Sequence, residues 1–147
     1  MISMTGERTA AFVDTNVLVY AFEKTSSPKK RVAQQLISEL MKDNRLHLST
    51  QVFQELFVTL TRKVRLPCRS EEALAVLEDL AAWPVITINY SAIRAAAVLA
   101  DEAKISFWDA LIIVAAARAG ATVLYSEDLN AGQEILGVRI SNPFVES

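Results

Sequence analysis

With 147 residues, 52% of them hydrophobic, the chain has enough apolar side chain to build one continuous core of ordinary domain size without disulfides or a structural metal. A formal charge of −2 excludes tight nonspecific binding to nucleic acid through bulk positive charge, so any nucleic acid must be held by local basic patches. One cysteine, Cys68, and one histidine, His47, leave little to support a zinc framework, a disulfide scaffold or a Cys/His nucleophile pair.

The start MISMTGERT lacks the basic flank and long apolar stretch of a signal peptide. The longest apolar run, Ala110 to Ala117, is bracketed by Asp109 and Arg118 and is too short to span a membrane. The expectation is a soluble cytoplasmic protein, residues 1–147 forming one domain, with no repeats and no linker.

Apolar runs of strand length alternate with longer segments of helical period, the pattern of βαβ units and a mostly parallel sheet of about five strands. The first strand is placed at Ala11 to Asp14. A helix follows from Pro28 to about Asn44, with Ser27 as cap and proline at its first position. Leu46 to Ser49 is the second strand. It leads into a helix from Thr50 to Leu66, with Val52, Phe53, Leu56, Phe57 and Leu60 at helical spacing. Ser70 to Trp83 is the next helix, and Pro67 and Pro84 end these two. Val85 to Ile88 is the third strand, followed by helices Tyr90 to Lys104 and Phe107 to Ala119, the latter closed by Gly120. Thr122 to Tyr125 and Val138 to Ile140 complete the strands.

Four acids stand where this architecture would make them useful. Asp14 ends the first strand, the edge at which open α/β sheets bind ligands, although capping the next helix would also explain it. Glu55 borders the apolar face of its helix, where a carboxylate is paired, metal-bound or solvated through its stem. Asp109 lies in the first turn of an almost wholly apolar helix, with Ser106 in the spacing of a capping box. Asp128 follows the fourth strand, where a turn or cap would account for it. Asp14 and Asp128 follow parallel strands and so emerge on the same sheet edge. Crowded carboxylates repel one another, a cost that a divalent cation relieves. A hard cation such as Mg²⁺ takes oxygen ligands and keeps several waters.

These residues resemble the PIN-domain nucleases, and within them the VapC-like toxins of toxin–antitoxin pairs. Asp14-Thr15-Asn16 is similar to the family's opening acid motif, Glu55 to its second acid, Phe107-Trp108-Asp109-Ala110 to its third and Ser126-Glu127-Asp128-Leu129 to its fourth. The resemblance covers the whole chain. It implies a three-layer α/β/α fold and endonucleolytic cleavage of RNA with Mg²⁺ or Mn²⁺ held by Asp14, Glu55, Asp109 and Asp128. Asn16 and Ser126 would be supporting residues. It also implies an antitoxin protein covering the pocket, and a homodimer.

The chemistry expected is in-line attack of a metal-activated water on an RNA phosphodiester, with Asp109 or Asp128 as a candidate to orient the water. Two basic clusters could hold phosphate: Lys24, Lys29, Lys30 and Arg31, or Arg62, Lys63 and Arg65, the second preferred for sharing a helix with Glu55. Solvated helix surface is the simpler explanation of both. Phe57, Val64, Leu66 and Trp83 would suit an interface or the core. Alternative readings are a housekeeping nuclease, a non-catalytic RNA-binding module, an aspartate-nucleophile phosphatase and a signalling receiver. Asn16 stands where the phosphatase wants a second Asp, and Asn89-Tyr90 leaves no acceptor after the third strand for the receiver.

Overall fold

The computed structural model describes residues 9–145; most of the stretch read for a leader, residues 1–8, lies outside the described residues, as do residues 146–147. Six strands form one sheet: β1 (Ala11–Val13), β2 (Leu46–Ser49), β3 (Val85–Ile86), β4 (Val123–Tyr125), β5 (Glu134–Ile135) and β6 (Val138–Ser141). Their order is β3-β2-β1-β4-β6-β5. All neighbours run parallel except β5 and β6. The fully buried β1 lies between β2 and β4, with Ala11 opposite both Leu46 and Val123 and Val13 opposite Tyr125. Asp14 and the residues after Tyr125 therefore leave the sheet side by side, and the Asp14 amide donates to the Tyr125 carbonyl at 2.9 Å.

The sheet exceeds the expected five strands by one. β5 forms a hairpin with β6 through Leu136 and Gly137, whose φ angles of 54° and 79° are both left-handed. Primed hairpin turns need such angles, which usually call for Asn or Gly; here a leucine takes one of the two positions. The third strand ends at Ile86, two residues earlier than the apolar run suggested.

The helices are α1 (Thr15–Phe22), α2 (Pro28–Lys42), α3 (Thr50–Val58), α4 (Ser70–Leu80), α5 (Tyr90–Ala103) and α6 (Phe107–Arg118). α1 packs against α2 and α3, and α5 against α6, giving helical layers about the sheet. The core is built on this scaffold. In α6 the seven residues Ala110 to Ala116 are all buried, so only its ends are free for polar residues. Among the described residues no helix is long and apolar enough to cross a membrane.

The helix expected from Thr50 to Leu66 is α-helical only to Val58. Residues Thr59–Lys63 form a π-helical turn, closed by the Val64 amide donating to the Thr59 carbonyl at 3.1 Å. Thr61 contributes to the change of winding. Its hydroxyl donates to the Phe57 carbonyl at 2.8 Å, taking an acceptor that the α-helical ladder would have used. Phe57 and Trp83 pack partly against the core, whereas Leu66 is exposed.

Candidate active site

Asp14 caps α1, as its position suggested, its carboxylate accepting from the Thr15 amide at 2.7 Å. That role occupies one oxygen only. The other accepts from the Ser126 hydroxyl at 2.8 Å and weakly from the Asn16 amide at 3.4 Å. Ser126 is fully buried and comes from the turn after β4, so the pairing of β1 with β4 sets this contact. Burial pushes the Asp14 carboxyl up to about 6; the bonds from Ser126 and Thr15 pull it down, and the charges of Glu55 and Asp128 push it up again.

Glu55 is half-buried on α3 and is held from both sides. The Thr15 hydroxyl donates to one oxygen at 2.6 Å and the Gln51 amide to the other at 3.1 Å. Gln51 also reaches the Trp108 carbonyl at 3.4 Å, tying α3 to the first turn of α6. Its own Oε1 is buried without a hydrogen-bond partner.

Asp128 is exposed. Asn16 donates to it at 3.0 Å, and its amide donates to the Ser126 hydroxyl at 3.2 Å. Asn16 also accepts from the Glu127 amide at 3.1 Å, so this one side chain links the first acid to the loop carrying the fourth. Glu127 points the other way. It accepts from the Tyr20 hydroxyl at 2.9 Å and pairs with Lys29, whose ammonium lies over the rings of Tyr20 and Phe144.

Asp109 stands apart from this web. It lies half-buried in the first turn of α6, its amide donating to Ser106 at 3.0 Å, the first half of the expected capping box. It lines a cavity of about 150 Å³ with Asp128, Leu129 and Gln133. The larger groove, about 720 Å³, is lined by Thr15, Asn16, Glu55, Lys63 and Asp128 among others. Asp128 thus stands between Asp109 and the groove. Arg62 and Arg65 are exposed and do not line it.

Three of the four residues of the first basic cluster are engaged within the fold: Lys24 pairs with Glu72, Lys29 with Glu127, and Lys30 donates to the Glu23 carbonyl, while Arg31 is exposed. Thr15, Gln51 and Tyr20 were not singled out from sequence. Thr15 lay inside the acid motif, and Gln51 sits one helical turn before Glu55, a spacing that places both on one face.

Among the described residues no three Asp, Glu, His or Cys side chains are gathered closely enough to hold a metal unaided. The donors nevertheless fit a hard cation. They are carboxylate oxygens, and the charges of Glu55 and Asp128 act on Asp14, which burial already holds up, so a cation would offset their mutual repulsion. The arrangement suits an ion that keeps most of its waters and binds through one or two carboxylates.

A family model described as PIN domain matches residues 11–133. The chain belongs to the PIN domain family. Solved structures similar to this PIN domain include a toxin–antitoxin complex from Klebsiella pneumoniae, at TM-score 0.68 and 19% identity, covering 92% of this chain and 98% of that one. VapC20 of Mycobacterium tuberculosis, described as a sarcin–ricin loop cleaving toxin, aligns at TM-score 0.64 and 21% identity, over 81% and 90% of the two chains. VapBC2 of Rickettsia felis, solved with a fragment of promoter DNA, gives 0.65 and 19% over 90% and 98%. At these identities the likeness is one of fold. No curated protein sequence matches this PIN domain significantly.

Proposed function

We propose that the chain is a Mg²⁺- or Mn²⁺-dependent endoribonuclease, the toxin of a toxin–antitoxin pair. One observation carries the reading: Asp14, Glu55 and Asp128, remote in sequence, are joined by Thr15, Asn16 and Ser126 at the carboxyl edge of the parallel strands. A capping role accounts for a single oxygen of Asp14 and for none of these bridges.

Asp14, Glu55 and Asp128 would hold the ion, one or two of them directly and the rest through its waters, with Asp109 lining the smaller cavity beside Asp128. When bound, the cation supplies a water of lowered pKa and neutralises charge on the phosphate. The protein's part is orientation. Thr15 and Gln51 fix both oxygens of Glu55, Ser126 fixes Asp14, and Asn16 fixes Asp128. Asp128, the most exposed of these acids, is placed to accept a proton from an attacking water. The toxin–antitoxin complex among the similar structures supports an antitoxin partner, and a homodimer is proposed with it.

The test is cleavage of RNA by purified protein. Mg²⁺ or Mn²⁺ should support it, EDTA should stop it, and Asp14→Asn should remove it while the fold is kept. Cleavage that survives EDTA or this substitution would defeat the reading. Light scattering that gives only the monomer mass at working concentration would remove the dimer.

A further inference from the structure

The π-helical turn after α3 decides which cation faces the carboxylates. An α-helix makes a turn in about 3.6 residues, so about seven residues complete two turns. Continued regularly from Glu55, the helix would bring Arg62 onto the face of Glu55. The Thr59–Lys63 turn holds one residue more, and from this stretch the groove is lined by Gln54, Glu55, Val58, Thr59, Lys63 and Val64, not by Arg62.

Lys63 is the only basic side chain among the described residues lining that groove, which it shares with Glu23, Glu55 and Asp128. It forms no ion pair with them. An exposed ammonium near carboxylates, yet paired with none, is free to meet an anion from solution.

We propose that the π turn aims Lys63 at the groove to bind a backbone phosphate of single-stranded RNA beside the bond to be cut. The inference rests on the nuclease reading and adds where the substrate's neighbouring charge is held. With carboxylates dominating the groove, a polyanion needs a positive contact there, and the chain's net charge supplies none. Arg62 and Arg65, nearby in sequence but outside the groove, become internal controls.

The experiment measures Kd for a labelled mixed-sequence single-stranded RNA oligonucleotide against salt, with Ca²⁺ replacing Mg²⁺ so that binding is read without turnover. Lys63→Ala should weaken binding about fivefold or more and flatten the slope of log K against log salt by about 0.7, one phosphate contact on a single strand. Lys63→Arg should bind like the parent, and Arg62→Ala and Arg65→Ala should change Kd less than about twofold. Circular dichroism checks that each variant is folded. If Lys63→Ala behaves like Arg62→Ala, or its salt slope is unchanged, the inference is overturned. If the parent protein still cuts RNA in that case, only the inference falls; if the parent neither binds nor cuts RNA, the nuclease reading falls with it.

Discussion

Replacing Asp14 by asparagine should stabilise the metal-free protein at neutral pH. The ordinary Asp value is 3.8, whereas in the fold the carboxyl is raised to about 6, chiefly by burial. Between those limits the folded state binds a proton that the unfolded chain has released. Stability therefore falls as pH rises from about 4 to about 6 and stays lower above it. The gap corresponds to roughly 3 kcal/mol. An uncharged amide would escape that cost, and asparagine is as good a helix cap as aspartate. It would lose an acceptor toward Asn16 or Ser126, a loss of about 1 kcal/mol. In EDTA at pH 7.5, Asp14→Asn should thus exceed the parent by about 1–2 kcal/mol in urea unfolding, and the gain should vanish or reverse near pH 4. Added Mg²⁺ should raise the parent alone, because only a folded site that binds the ion gains by mass action. A variant less stable than the parent at pH 7.5, or a difference equal at both pH values, would refute the argument from desolvation.

Thr15→Val keeps the shape of a buried residue and removes the donor to Glu55. Activity should fall about 10-fold or more, while Thr15→Ser retains most of it; cleavage rates equal to the parent in Thr15→Val would make the bridge incidental. Ile113→Ala, at 1% exposure in the middle of α6, should cost about 2–5 kcal/mol. Urea unfolding checks this, and a loss below about 1 kcal/mol would mean that α6 is not packed as described.

The parallel sheet was legible because β1 and β4 are apolar and mostly buried, β2 sets Leu46 and Leu48 alternately with polar residues, and caps or turns bound all three. β5 was not. It has two residues, an exposed glutamate and a half-buried isoleucine, and its turn lacks the Asn-Gly signal. α1 was visible only as whatever Asp14 might cap, because its eight residues are apolar on nearly every side and show little period. The helix after β2 was expected to run straight through Leu66, since periodicity does not register a hydroxyl diverting a backbone carbonyl, as Thr61 does. At the site, the acids could be picked out by type and position. What holds them could not: Thr15 and Glu55 are 40 residues apart and Asn16 and Asp128 are 112 apart, distances that only tertiary pairing closes. For the same reason Arg62, Lys63 and Arg65 read as one cluster in sequence while the fold sends Lys63 alone of the three to the groove.

The bond from Ser126 to Asp14 crosses 112 residues, and β4, which makes it possible, is flanked by β1 on one side and β6 on the other. During synthesis the first acid therefore leaves the ribosome long before Ser126 and Asp128, and the pocket cannot close until β4 and the turn after it have emerged. For the proposed ribonuclease this sets an order of events: the first acid of a growing chain stays without its buried partner until the segment carrying Ser126 and Asp128 has followed.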